Sequence, residues 1–279
     1  MPMKVAKILA TIVAAVSYMT TAPAASAMPT PGVLAPSSQC AARQVVFLPG
    51  GANTIPNVPE RLPHGSITAQ MGAKLGMQQD TNIHFIGYQA FPFAASTYQE
   101  STNEGYRQAS AAINRIQNKC PNSKISLVGY SEGADIAARI INDAGRQRGP
   151  LKKTQLSSAV LYANPYQGGN GAAQWPADMS GATGALGHLS GGFGELAPNV
   201  LEICHPNDVI CNYPKKYRGL VSPFMKMDAL HGQLPLVELV KESAQYQLDD
   251  YTTITKGLIF HNQYGSVDSQ VGIDWINRH

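Results

Sequence analysis

A serine with glycine two positions away on each side, Gly129-Tyr130-Ser131-Glu132-Gly133, has the spacing of an activated nucleophile. Such a G-x-S-x-G run carries meaning only where a strand enters it and a helix leaves it. The turn between them must be sharp enough to lift the hydroxyl clear of a sheet, and the glycines leave room for that strained backbone. Here the apolar run Lys124 to Tyr130 predicts the strand, and Ala134 to Gly145, with Ile136, Ile140 and Ile141 on one face, predicts the helix. N–H groups at the start of that helix would point towards an anion formed during acyl transfer.

A second group is Cys204-His205-Pro206-Asn207-Asp208-Val209-Ile210-Cys211. Two cysteines so close can close a small loop, and Asp208 inside it follows an apolar run, Val200 to Cys204. An acid that orients a catalytic base belongs in that position. Two plainer readings compete: a stapled loop with a solvated Asp208, or zinc held by His205 and two thiolates. The C-H-x₅-C spacing is not a usual zinc pattern, and an oxidising compartment favours disulfide. Cys40, before the first strand, and Cys120, after the first long helix, remain, and their bridge would close a long loop. Four cysteines allow three pairings in all.

The elements that must hold these residues alternate in type. Gln44 to Leu48 is a short apolar run ending at Pro49-Gly50-Gly51, and Ile83 to Tyr88 is a second strand by the same reasoning. Between Thr97 and Lys119 the residues Tyr106, Ala109, Ala112, Ile113 and Ile116 recur at three- and four-residue steps, one stripe of a helix that Pro121 ends. Leu156 to Ala163 is another strand, and Val267 to Asn277 a closing helix with Val271, Trp275 and Ile276 on one face. This order predicts an α/β fold, a central parallel sheet flanked by helices. Tyr166 to Pro198 is glycine-rich and aperiodic and reads as one long surface loop. Tyr213 to Lys256 is the least legible stretch, with a short helix around Leu236, Leu239 and Val240 and the character of a lid.

Composition narrows the partners. The 279 residues are 44% hydrophobic and 14% charged, which suits a globular chain, and the net charge of +3 comes without a block of like charges. No electrostatic footprint for nucleic acid is present. Residues 1–27 read as a secretory signal: Lys4 and Lys7, an apolar stretch from Ile8 to Met19, and a small-residue site at Ala25-Ser26-Ala27. Residues 28–39 then form a Pro-rich tail ahead of one domain over 40–279. The expected location is outside the cell or in its envelope.

Taken together, Cys40 before a strand, Cys120 before the nucleophile strand, the Gly129 to Gly133 turn, the loop around Asp208, and a late His261-Asn262-Gln263-Tyr264 ahead of a terminal helix resemble the cutinase-like serine esterases. These are a branch of the α/β-hydrolases, and the resemblance covers most of residues 40–279. The chain departs from the family in having Glu132 where Gln is usual and Pro49-Gly50-Gly51-Ala52 in place of an Arg-Gly-Ser type of turn. Its stretch from acid to histidine is also much longer. The resemblance implies a Ser131, Asp208, His261 triad, an oxyanion hole from the N–H groups of Glu132 and Gly51, bridges Cys40 to Cys120 and Cys204 to Cys211, and no cofactor or metal. His231 is the rival base, because both it and His261 follow Asp208 in the chain; His261 is preferred for its H-x-x-Y context. The implied reaction is hydrolysis of carboxylic, in particular lipid, esters through an acyl-serine. Insertions near 166–198 and 213–256 resemble those of cutinase-like proteins from mycolate-bearing bacteria, which implies an envelope glycolipid such as a trehalose mycolate, peripheral contact with the envelope, and a monomer. Two alternatives stay open: an acyltransferase that passes the acyl group to a sugar, and a non-catalytic envelope-binding protein.

Overall fold

Six parallel strands form the sheet: β1 (Arg43–Leu48), β2 (Thr81–Phe85), β3 (Lys124–Tyr130), β4 (Leu156–Tyr162), β5 (Ala173–Trp175) and β6 (Val200–Ile203). Their spatial order is β2-β1-β3-β4-β6-β5. The computed structural model describes residues 40–279, so the expected leader over 1–27 and tail over 28–39 lie outside the described residues. The central strands β1, β3 and β4 are buried along nearly their whole length because both faces are covered. Val46, Leu48, Leu127 and Leu161 point to a layer made by α2 (Tyr98–Lys119) and α3 (Glu132–Gly145). Val45, Phe47, Val128 and Val160 point the other way, to α1 (Ile67–Leu75) and α7 (Ser266–Arg278). Each fully buried large side chain contributes roughly 1.5–3 kcal/mol, so two such layers dominate the stability of the domain.

The chain leaves β1 for the edge strand β2 and returns across it to β3. The carboxyl ends of β1 and β3 therefore flank a switch in winding direction, where open α/β sheets form their crevices. The Gly50-Gly51 turn and Ser131 lie at those two ends. Helix α2 is fixed at its start by a capping box, with Thr97 Oγ1 accepting from Glu100 N at 3.3 Å and Glu100 Oε2 accepting from Thr97 N at 2.9 Å. Such a cap is typically worth ~1 kcal/mol.

Three stretches differ from expectation. Helix α1 has no counterpart in the sequence reading, because its apolar stripe is only Ile67, Met71 and Leu75 with Gly72 between them. The stretch 166–198 is not all loop: Ala173–Trp175 pairs with β6 as an edge strand, too short to show a period of its own. The second strand ends at Phe85 rather than Tyr88, and Gly87 and Tyr88 continue as coil. The illegible stretch 213–256 holds α4 (Val221–Met225), α5 (Leu236–Ser243) and most of α6 (Leu248–His261). Tyr217, Leu220 and Tyr246 form a small aromatic core there, with Phe224, Tyr251 and Ile254 packed on it. Its residues come from several short elements, which is why no single periodicity reveals it. The cysteines pair as Cys40–Cys120 and Cys204–Cys211.

Candidate active site

Ser131 is the residue between β3 and α3, held at φ 54° and ψ −119°. A non-glycine residue at positive φ is strained, and it persists only where its surroundings leave no alternative. Its amide donates to Tyr162 O at the end of β4, at 2.9 Å, and its carbonyl accepts the first bonds of α3 from Ala134 N and Asp135 N. Gly133 explains the rest of the motif: a Cβ there would lie 1.9 Å from Leu48 O, so only glycine lets α3 start this close to the end of β1.

Asp208 lies past β6 inside the Cys204–Cys211 loop and has no exposed surface. Its carboxylate is fully occupied. Ile210 N donates to Oδ1 at 2.7 Å, Tyr264 Oη donates to Oδ2 at 2.8 Å, and His261 Nδ1 contacts Oδ1 and Oδ2 at 3.1 and 3.0 Å. On its other side the His261 ring places Nε2 2.8 Å from Ser131 Oγ. The three residues thus form a continuous chain from hydroxyl to buried carboxylate. His261 is the last residue of α6, and Gly257, one turn earlier, is what lets α6 reach the acid loop. A Cβ on Gly257 would lie 2.0 Å from Val209 Cγ1.

Two tyrosines hold this arrangement and were not singled out for it in the sequence. Tyr264 bridges, accepting from His205 N at 3.2 Å while donating to Asp208 and stacking on the His205 ring at 4.2 Å. Tyr130 stacks on His261 at 5.4 Å and donates to the His261 carbonyl at 2.8 Å. The H-x-x-Y spacing was the available signal for Tyr264. His205 is committed to Asp268 at 3.0 Å, and that hydrogen bond raises its pKa. His231 pairs with the buried Asp228 at 2.7 Å, two-thirds of its side chain being exposed, and it does not line the cavity at Ser131.

That cavity is about 160 Å³ and predominantly apolar. Ser131, Glu132, Gly51 and His261 form its floor; Tyr213, Val221, Phe224, Met225, Met227 and Ile254 from the 213–256 stretch, with Leu258 just beyond it, form one wall, and Pro165, Ala185 and Leu186 another. Glu132 is buried against the floor, with Oε1 in contact with Ser101 Oγ and Oε2 without a partner.

A parallel sheet wound in both directions, with a strained serine after β3, an acid after β6 and a histidine before the last helix, defines an α/β-hydrolase. The Cutinase family model matches residues 40–224, about two thirds of the chain, and the chain belongs to that family of carboxylic ester hydrolases. The matched span includes Ser131 and Asp208 and ends before His261. A Corynebacterium glutamicum protein described as "Carboxylesterase Culp6 homolog" is 24% identical over 69% of this chain and 72% of its own length. "Carboxylesterase Culp1" of Mycobacterium tuberculosis is 26% identical over 75% of this chain and 84% of its own. Among solved structures, lysin B from Mycobacteriophage D29 superposes with a TM-score of 0.57, 15% identity and coverage of 86% of this chain and 100% of its own. The catalytic core of acetyl xylan esterase from Trichoderma reesei gives 0.53, with 19% identity over 86% and 98%. At those identities the structural likenesses speak for the fold alone.

Proposed function

We propose that this protein is an exported lipid esterase working through an acyl-Ser131 intermediate, with residues 40–279 as one hydrolase domain and 166–198 and 213–256 as additions to the family core. The observation that carries it is the 2.8 Å contact between His261 Nε2 and Ser131 Oγ at the floor of an apolar cavity. His261 takes the Ser131 proton as Oγ adds to the ester carbonyl, and Asp208 fixes the ring tautomer and stabilises the imidazolium. The oxyanion is held by the Glu132 and Gly51 N–H groups, each such donor being worth about 2.7–4 kcal/mol of barrier. Collapse expels the alcohol with the proton from His261, and water then releases the acid by the same steps.

The apolar wall from 213–256 suits a hydrocarbon acyl chain, since burial of such a chain gains with each methylene. Leu230, Leu234, Leu236 and Val237 are exposed on the same stretch and support peripheral contact with a lipid surface. Together with mycobacterial and corynebacterial relatives, these features favour envelope glycolipids such as trehalose mycolates as substrates. Two disulfides fit an oxidising compartment and hence export.

The test is product analysis by mass spectrometry on esters ranging from short acyl chains to envelope glycolipids, with and without added trehalose. Free acid in both conditions, together with fluorophosphonate labelling of Ser131 that Ser131→Ala abolishes, is the expected result. Acyl-trehalose as the main product would instead define a transferase, and absence of labelling would remove the nucleophile assignment.

A further inference from the structure

Glu132 stands where neighbouring hydrogen bonds decide its proton. Ser101 Oγ touches both Gln89 O, at 2.7 Å, and Glu132 Oε1. A hydroxyl carries one proton and a peptide carbonyl carries none, so Ser101 can donate to only one of the two oxygens. Both contacts become hydrogen bonds when Ser101 donates to Gln89 and Glu132 donates its own proton to Ser101. The other oxygen, Oε2, is buried without a partner and lies 3.3 Å from where a Cβ on Gly51 would be. It faces the loop that supplies the second oxyanion donor.

We propose that Glu132 is a neutral carboxylic acid packed beside the Gly51 oxyanion loop, and that its ionisation shuts the enzyme down at alkaline pH. The proposal rests on the Ser131 and oxyanion-hole reading above. An ionised Glu132 would set a negative charge against the loop where the substrate oxygen must become negative, and it would leave the Ser101 contact with two acceptors competing for one proton.

The groups facing Glu132 are few. Asp135 and Arg139 lie along α3, with Arg139 Nε 2.8 Å from Asp135 Oδ1; Tyr98 from α2 donates to Asp135 Oδ2 at 3.0 Å, and Tyr88 approaches from the segment before α2. Arg139 is thus committed to Asp135 rather than to Glu132. Burial pushes the Glu132 carboxyl up to about 8; a hydrogen bond donated by Ser101 to the carboxylate would oppose the rise, the negative Asp135 adds to it and Arg139 opposes it. The helix N-terminus favours an anion, but by less than a buried carboxylate oxygen without a donor costs. Tyr88 and Tyr98 are themselves raised well above 10, so neither titrates in the same range.

The experiment measures kcat by pH-stat from pH 6.5 to 9.5 on an ester of a non-titrating alcohol, in the wild type and in Glu132→Gln. Glutamine reproduces the neutral acid's contacts, donating to Ser101 through its amide. A wild-type kcat that falls about tenfold between pH 7 and pH 9, with a flat profile over the same span in Glu132→Gln, is the expected result whatever the variant's level at pH 7. Parallel falls in both proteins would overturn the proposal. If Glu132→Gln does not fold, Asp135→Asn decides. Loss of the negative charge that favours the neutral acid moves the alkaline fall to lower pH, whereas a fall that stays put or moves higher refutes the assignment. Failure of the underlying reading is separate: Ser131 would then resist fluorophosphonate at every pH.

Discussion

Asp208 illustrates how a buried charge is made useful. With no solvent contact, a carboxylate needs donors for both oxygens, and it obtains them from Ile210 N, His261 Nδ1 and Tyr264 Oη. Removing one donor leaves a lone pair in a dry site, at a cost of about 1.5–3 kcal/mol for a hydrogen bond to a charged group. Tyr264→Phe deletes that donor while keeping the ring that stacks on His205. Part of the loss falls on the orientation of Asp208 towards His261, so kcat is expected to drop by roughly tenfold to a hundredfold with KM little changed. Steady-state kinetics on a short ester checks this. A change confined to KM would mean that Tyr264 acts on substrate binding and leaves the acid unaffected.

At the scale of elements, the site is an agreement between α6 and the loop after β6, and Gly257 is where they touch. A methyl group at that position would overlap the Val209 side chain, so Gly257→Ala must push α6 and its terminal His261 away from the acid loop. Misplacement by about an ångström can cost on the order of a hundredfold in rate. Gly257→Ala is therefore expected to lower kcat at least tenfold, and Val209→Ala in the same chain to restore most of it. Failure of the second substitution to rescue would show that the defect lies in helix stability. This contact also marks where sequence reading stops. Runs such as Gln44 to Leu48 and Lys124 to Tyr130 announce their strands because both sides of each are buried, and α2 shows itself through the steps from Ala109 to Ile116. The G-x-S-x-G run and the family resemblance pointed to Ser131, Asp208 and His261, whose side chains the fold brings into one chain of hydrogen-bond contacts. Nothing local reveals that Gly257 faces Val209, that Tyr264 reaches Asp208, or that Glu202 gathers Asn164, Gly168, Asn170 and Gln174 around one buried carboxylate at 2.6–3.2 Å. Those pairings are set by tertiary packing, and β5, which Gln174 helps to anchor, went unseen for the same reason.

For the whole molecule the two disulfides divide stability from activity, because they sit at opposite ends of the sheet. Cys40 precedes β1 and Cys120 precedes β3, so their bridge lies at the amino ends of the strands, while Ser131 follows β3 at its carboxyl end. Seven strand residues separate the two ends by roughly 20 Å. The bridge spans 80 residues, and a loop of that size contributes about 4 kcal/mol by the chain-entropy argument. Its removal by Cys40→Ser with Cys120→Ser is expected to lower Tm by roughly 8–16 °C and leave kcat within a factor of two, at about 2–4 °C per kcal/mol. The Cys204–Cys211 bridge spans only 7 residues, so less chain entropy is at stake, but it encloses Asp208. Cys204→Ser with Cys211→Ser should therefore show the reverse: a smaller fall in Tm and a kcat reduced tenfold or more, even on a short ester. Calorimetry and kinetics on the two double variants, assayed well below either Tm, provide the comparison. Equal losses of kcat in both would mean that the acid loop is held by its packing against α6 and Tyr264, with the bridge adding only stability.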